Sequence, residues 1–303
     1  MNTFQPGSHY AFPEPIAEAD TAHIARKMFD IAYADRSPAQ RLDIYWPADG
    51  DGPFPVIVAI HGGAFMGGDK RDAQLEPMLA GLARGYAVVS INYRMSGEAL
   101  FPALVHDVKA AIRWVRANAA QFLFDPTRIA VWGGSAGGYL SLMAGVAANV
   151  PALDDPSLGN SEQPCHVQAV VDWFGPTDFL KMDAQLAESG MAPPAEFAHS
   201  GANSPESLLL GRTITEVPDL VRAANPETYL HVGAPPFFIQ HGDRDDTVPH
   251  QQSTRFAACA HVLLGKEKVR LELLPGARHA DPAFATPQNI QKVLAFLDQA
   301  LGA

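Results

Sequence analysis

From residue 55 onward, short and continuously apolar runs alternate with longer stretches of helical periodicity. The runs PVIVAIHGG (55–63), YAVVSINYR (86–94), RIAVWGG (128–134), QAVVDWFG (168–175), PPFFIQHG (235–242) and VRLELLPG (269–276) are predicted strands. They are rich in Val and Ile, and most are closed by Gly or a polar turn, the pattern of strands covered on both faces. Between them, PALVHDVKAAIRWVRANAAQFLF (102–124) places Leu104, Val108, Ala111, Ile112 and Val115 on one helical face. AGGYLSLMAGVAANV (136–150), HQQSTRFAACAHVLLG (250–265) and PQNIQKVLAFLDQALG (287–302) are further predicted helices. This alternation predicts an α/β fold, a mostly parallel sheet with helices on both faces, built as one domain.

Two segments break the rhythm. Residues 1–30 carry Pro6, Pro13 and Pro15, then a short helical candidate, ADTAHIARKMF (19–29), and are expected to form an N-terminal arm. Residues 176–234 are weakly periodic and rich in breakers such as PTDF, APPAEF, SGANSPES and ANPETY. A structureless loop of that length is rare in a compact domain. The expectation is an insertion of small helices packed over one edge of the sheet as a lid.

Composition narrows the class. Among 303 residues, 33 acidic and 22 basic side chains leave a net charge of −11, with no long basic run. That balance argues against nucleic acid as a partner. No apolar run approaches the roughly 20 residues of a membrane span. The start, MNTFQPGSHYAFPEP, has neither a basic nor an apolar leader region, and Cys165 and Cys259 read as free thiols, so a cytoplasmic location is expected. A homodimer is left open.

Gly133-Gly134-Ser135-Ala136-Gly137 follows one predicted strand and opens a helix. A serine at such a turn is lifted above the sheet, and small neighbours are needed because bulkier ones collide with strand and helix. No Lys follows as in a phosphate-binding loop, so Ser135 is the candidate nucleophile. His61-Gly62-Gly63-Ala64-Phe65 ends another strand, and its backbone suits an oxyanion hole. Gly63, Ala64 and Ala136 are the expected NH donors, with His61 holding the loop. Two later strands end in acids, Asp243, Asp245 and Asp246, and in His279. The order Ser, acid, His is that of hydrolases with a strand-end triad, and one helix fits between the last two. Of eleven histidines, only His279 follows the last strand before the terminal helix. Asp245 is preferred among the acids, with Asp243 and Asp246 as alternatives.

Together these residues resemble the α/β-hydrolase-fold esterases with an HGG oxyanion motif. The likeness is to hormone-sensitive-lipase-type carboxylesterases, and more closely to bacterial bifunctional feruloyl/acetylxylan-type esterases. It is carried by HGGAFMGGDKRD (61–72), SINYRMS (90–96), VWGGSAGG (131–138), DWFGPTDF (172–179), NSPESLLLG (203–211), APPFFIQHGDRDDTVP (234–249) and PGARH (275–279). The resemblance implies a Ser135–His279–Asp245 triad and Gly63, Ala64 and Ala136 as oxyanion donors. Ala64 stands where a third Gly is common, Phe65 where Trp is frequent, and Ala280 where Gly is common.

The expected activity is hydrolysis of short-chain acyl or aryl esters, acetyl or feruloyl in type, with no metal and no organic cofactor. Phe65, Trp173 and Phe174 are expected to line the substrate pocket, although Phe65 reads equally as a packing aromatic. Within the fold, the alternative is an amidase, an arylformamidase or an exopeptidase, the last needing an acidic anchor such as Glu188 or Glu196. From another class, the alternative is a silent small-molecule receptor, which the presence of His279 disfavours.

Overall fold

The computed structural model describes residues 17–192 and 198–302. Eight strands form one sheet: β1 (Lys27–Ala32), β2 (Arg41–Tyr45), β3 (Phe54–Ile60), β4 (Ala87–Ile91), β5 (Phe124–Gly134), β6 (Ala169–Trp173), β7 (Phe237–Gly242) and β8 (Val269–Leu274). Their spatial order is β1-β2-β4-β3-β5-β6-β7-β8. The pairs β1–β2 and β2–β4 are antiparallel, and every other pair is parallel. This is the α/β-hydrolase architecture.

The helices are α1 (Glu76–Leu79), α2 (Ala103–Ala117), α3 (Ala119–Phe122), α4 (Ala136–Val146), α5 (Met182–Glu188), α6 (Pro205–Leu210), α7 (Pro218–Ala224), α8 (Gln251–Leu264) and α9 (Pro287–Leu301). All seven residues of β3 are buried, because helices cover both faces of the sheet. Val56, Val58 and Ile60 point into one apolar cluster with α2, α4 and α8. Ile57 and Ala59 point into the other, with α1 and α9.

The helix expected over 19–29 is not formed. Residues 27–32 are instead the edge strand β1, paired with β2, which the sequence pattern did not reveal. Met28 and Phe29 are exposed, and a charge, Asp43, is fully buried in the middle of β2. Asp43 is held there by Arg71 Nε at 2.6 Å and Lys70 Nζ at 3.4 Å. The N-terminal arm lies outside the described residues over 1–16. Its remainder is tied to the segment before α1, where Ala73 N donates to Ala17 O and Ala19 N to Arg71 O. The long helix expected over 102–124 stops at Asn118. After the single turn of α3, Leu123 adopts a left-handed φ of 61° that redirects the chain into β5.

Among the described residues between β6 and β7 lie α5, α6, α7 and the 3-10 turns Phe179–Lys181, Ile214–Glu216 and Pro226–Tyr229. Residues 193–197 of this segment are outside the described ones. Phe179, Met182, Leu209 and Ile214 are essentially fully buried and belong to the same cluster as α2, α4 and α8.

One buried ion pair fastens the first half of the sheet. Asp107 of α2 accepts from Arg94 Nη2 at 2.7 Å, Arg94 Nε at 2.9 Å, the Arg94 backbone NH at 2.8 Å and Gln40 Nε2 at 2.7 Å. Removing one member leaves a buried charge without its partner. Asp107→Ala is expected to lower the unfolding free energy by about 3–5 kcal/mol, read from the urea midpoint. A loss under about 1 kcal/mol would assign the pair no structural weight.

Candidate active site

Ser135 sits between β5 and α4 with φ 56° and ψ −122°, a conformation that L residues avoid. The turn is possible because three neighbours lack a side chain. A Cβ on Gly137 would lie 2.0 Å from Ile60 O, and one on Gly133 would lie 2.4 Å from Gly137 O. A Cβ on Gly138 would meet Asp172 Oδ1 at 2.3 Å. From the neighbouring strand, Trp173 O accepts the Ser135 backbone NH at 2.9 Å, pinning the turn to β6.

The loops after β7 and β8 bring the acid and the histidine to this serine. Ser135 Oγ is 3.0 Å from His279 Nε2, and His279 Nδ1 is 2.8 Å from Asp245 Oδ2. An ionised carboxylate can only accept, so it fixes the proton on Nδ1 and leaves the Nε2 lone pair facing the Ser135 hydroxyl. Asp245 is fully buried, and its Oδ1 accepts the backbone NH groups of Thr247 at 2.9 Å and Val248 at 2.8 Å. His241 Nε2 lies 3.2 Å from Asp245 Oδ2 and donates to Val248 O at 2.8 Å. Burial works to raise the Asp245 carboxyl, but the electrostatic attraction of the facing His279 ring and the hydrogen bonds from His241 and His279 outweigh it and hold the group well below the usual carboxylate range. The other two acids go elsewhere. Asp243 accepts the Gly276 NH at 2.7 Å, and Asp246 pairs with Arg278 at 2.7 Å.

The glycine loop after β3 lies beside the serine. Gly63, Ala64 and Phe65 have φ values of 121°, 52° and 64°. A Cβ at Gly63 would stand 2.0 Å from Gly67 O, so only glycine fits there. The NH groups of Met66 and Gly67 fold back onto Gly63 O. Those of Gly63, Ala64 and Ala136 have no acceptor among the described residues. His61 stacks on Tyr93 with ring centroids 4.5 Å apart, and its Nδ1 is 2.7 Å from Gly62 O. Burial pushes its pKa down, so it is an uncharged anchor for the loop.

The three aromatics expected at the pocket are all at least 95% buried. Phe174 packs edge-on against His279, with ring centroids 4.8 Å apart. Phe65 packs against Tyr139 and Phe179. Trp173 is turned into the opposite core, where its Nε1 donates to Gln240 Oε1 at 2.7 Å and its ring meets Trp132. Glu188 is exposed, and Glu196 lies outside the described residues. Asp172 and Gln74 escaped the sequence reading. Asp172 sits beneath the elbow, and Gln74 Oε1 accepts the Gly62 NH at 2.9 Å. Only the fold brings either residue near the serine. Among the described residues, no group of three or more His, Cys, Asp or Glu is placed to hold a metal ion, and no helix is long and apolar enough to cross a membrane.

A family model described as BD-FAE matches residues 42–259. The chain belongs to the BD-FAE family. That match includes the glycine loop, the Ser135 elbow and Asp245, and ends before His279. Among curated relatives, the chain is 34% identical over 283 residues to the probable carboxylic ester hydrolase LipM of Mycobacterium tuberculosis, covering 88% of this chain and 61% of that protein. The chain thus spans about three fifths of the length of such relatives. Among solved structures, a truncated carbohydrate esterase from gut microbiota superposes with a TM-score of 0.83 at 32% identity, covering 94% of this chain and all of the other. Thermogutta terrifontis esterase 2, phosphonylated by sarin, superposes with a TM-score of 0.71 at 26% identity, covering 91% and 94%.

Asp172 gives a pH signature to this BD-FAE site. Burial pushes its carboxyl from 3.8 up to about 7, against one hydrogen bond from the Gly175 NH at 3.0 Å. A folded-state value above the unfolded one means the folded chain holds the proton more tightly, so stability from this group falls as pH rises from 3.8 through about 7. Asp172→Asn keeps an acceptor for Gly175 and removes the charge. Its urea midpoint is expected to exceed wild type at about pH 8 and to differ much less at about pH 5. An equal gain at both would contradict a titrating buried acid.

Proposed function

We propose that the chain is a serine carboxylesterase, with Ser135, His279 and Asp245 as its triad. The observation that carries this reading is the continuous relay from Ser135 Oγ to His279 Nε2 at 3.0 Å and from His279 Nδ1 to Asp245 at 2.8 Å, beside free NH donors. Ser135 Oγ attacks the ester carbonyl carbon as its proton passes to His279 Nε2. The carbonyl oxygen becomes negative and is held by the NH groups of Gly63, Ala64 and Ala136. Collapse breaks the bond to the alcohol, which leaves with the proton from His279. Water, deprotonated by the same nitrogen, then releases the acid from the acyl-serine. Each cycle balances with an ester and water alone.

For the substrate we propose short-chain acyl or aryl esters, acetyl or feruloyl in type. The dense aromatic packing of Phe65, Tyr139 and Phe179 behind the glycine loop supports a small acyl side. So does the likeness to a carbohydrate esterase. We place residues 176–234 above the site as a lid and Phe174 at the wall beside His279. The two unpaired cysteines fit a reducing cytoplasm.

On p-nitrophenyl acetate, Ser135→Ala is expected to lower kcat by about 10⁴-fold or more, and Asp245→Asn by about 10⁴-fold with little change in KM. Wild-type turnover by Ser135→Ala would refute the reading. Across p-nitrophenyl esters, kcat/KM is expected to fall from acetyl and butyryl to decanoyl. A preference for decanoyl would refute the short-acyl assignment.

A further inference from the structure

We propose that Gln74 is the positioning residue of the oxyanion loop, acting through the Gly62 NH and itself oriented by Asp72. This rests on the reading of Ser135 as nucleophile and of the Gly63, Ala64 and Ala136 NH groups as oxyanion donors.

The Gly62 backbone touches the elbow directly. A Cβ built there would lie 2.8 Å from Gly134 O and 3.2 Å from Ser135 Cβ. Any rotation of the Gly62 peptide therefore alters the distance between the loop donors and the serine. The single hydrogen bond made by its NH goes to Gln74 Oε1, at 2.9 Å, from the 3-10 turn Ala73–Leu75.

A carboxamide presents an acceptor on one side and a donor on the other, so its orientation needs a second partner. Asp72 supplies it. Gln74 Nε2 donates to Asp72 Oδ2 at 3.0 Å, and Asp72 also accepts the backbone NH groups of Gln74 at 3.0 Å and Asp69 at 3.2 Å. A carboxylate accepts only, so it selects the amide orientation that turns Oε1 toward Gly62. Behind this unit Asp72 and Leu75 are buried. The cavity bounded by His61, Asp69, Asp72, Gln74 and Ser90 has a volume of about 10 Å³, too small for more than one water. Removing the Gln74 oxygen takes away the acceptor that the Gly62 NH has among the described residues and frees the loop to rotate.

Donor placement acts on the tetrahedral state more than on the bound ester, and this separates positioning from a merely structural part. Gln74→Met preserves length and volume and removes the acceptor. With p-nitrophenyl acetate, it is expected to lower kcat by about tenfold or more while KM stays within about twofold. The affinity for phenylboronic acid, which forms a tetrahedral adduct on a serine, is expected to fall by a similar factor, with the melting temperature near wild type. Asp72→Asn provides an independent variant: it is expected to lower kcat with the same KM split, and adding it to Gln74→Met should lower kcat no further.

Wild-type kcat and boronate affinity in Gln74→Met would overturn the proposal, as would fully additive losses in the double variant. Ser135→Ala in the same panel separates the two layers. If it is inactive while Gln74→Met is unaffected, the positioning proposal alone fails; if it still turns over ester, the reading of the site fails.

Discussion

The constraint on which the site depends is a meeting of three backbone segments with no space between them. The end of β3, the end of β5 and the first turn of α4 approach so closely that a Cβ at Gly137 would stand 2.0 Å from Ile60 O. That approach holds Ser135 at φ 56°, a strain the surrounding sheet must outweigh. It also puts the loop leaving β3 against the serine leaving β5, so the NH groups of that loop and the Ser135 hydroxyl share one rigid junction. The parallel register Ile60↔Gly133 is where the two elements end together. Fixing the registers of β5, β6, β7 and β8 then delivers the remaining groups to the same edge.

The electrostatic arrangement is layered around that junction. Asp245 is buried and charged because His279, His241 and two backbone NH groups all face it. Beneath the elbow, Asp172 is buried with a single NH for company, and its proton is held up to about 7. Two carboxyl groups on neighbouring strand ends therefore differ in charge near neutrality, because one faces two imidazoles and two backbone NH groups and the other faces one backbone NH in a buried setting. A negative Asp172 under α4 would oppose the positive end of that helix beside Ser135.

The central sheet was legible because β3, β4, β6 and β7 are buried throughout and, with the second half of β5, carry continuous apolar runs. β1 and β2 were not, since Asp43 places a charge at a fully buried position that only Arg71 and Lys70 explain. The serine, acid and histidine that the fold brings into hydrogen-bond contact could be picked out as candidates because each follows a strand end in a fixed chain order. The choice among three neighbouring aspartates becomes physical only when Asp243 and Asp246 are seen bonded to Gly276 and Arg278. Gln74 and Asp172 carry no local pattern at all, and their meaning lies in partners distant along the chain. Trp173 shows the reverse limit: an aromatic next to a strand end looks like a pocket wall, yet its indole NH is bound to Gln240 in the far core.

The segment between β6 and β7 is not a detachable cap. Leu209 and Ile214 are fully or almost fully hidden in the same apolar cluster as Leu104 of α2 and Leu140 of α4. Swinging it aside as a rigid flap would wet those side chains, at about 25 cal/mol for each Å² exposed. Sequence change in this segment is consequently coupled to the durability of the fold. Residues of this segment also hold the main body together, so any change in them is felt in the stability of the whole sheet.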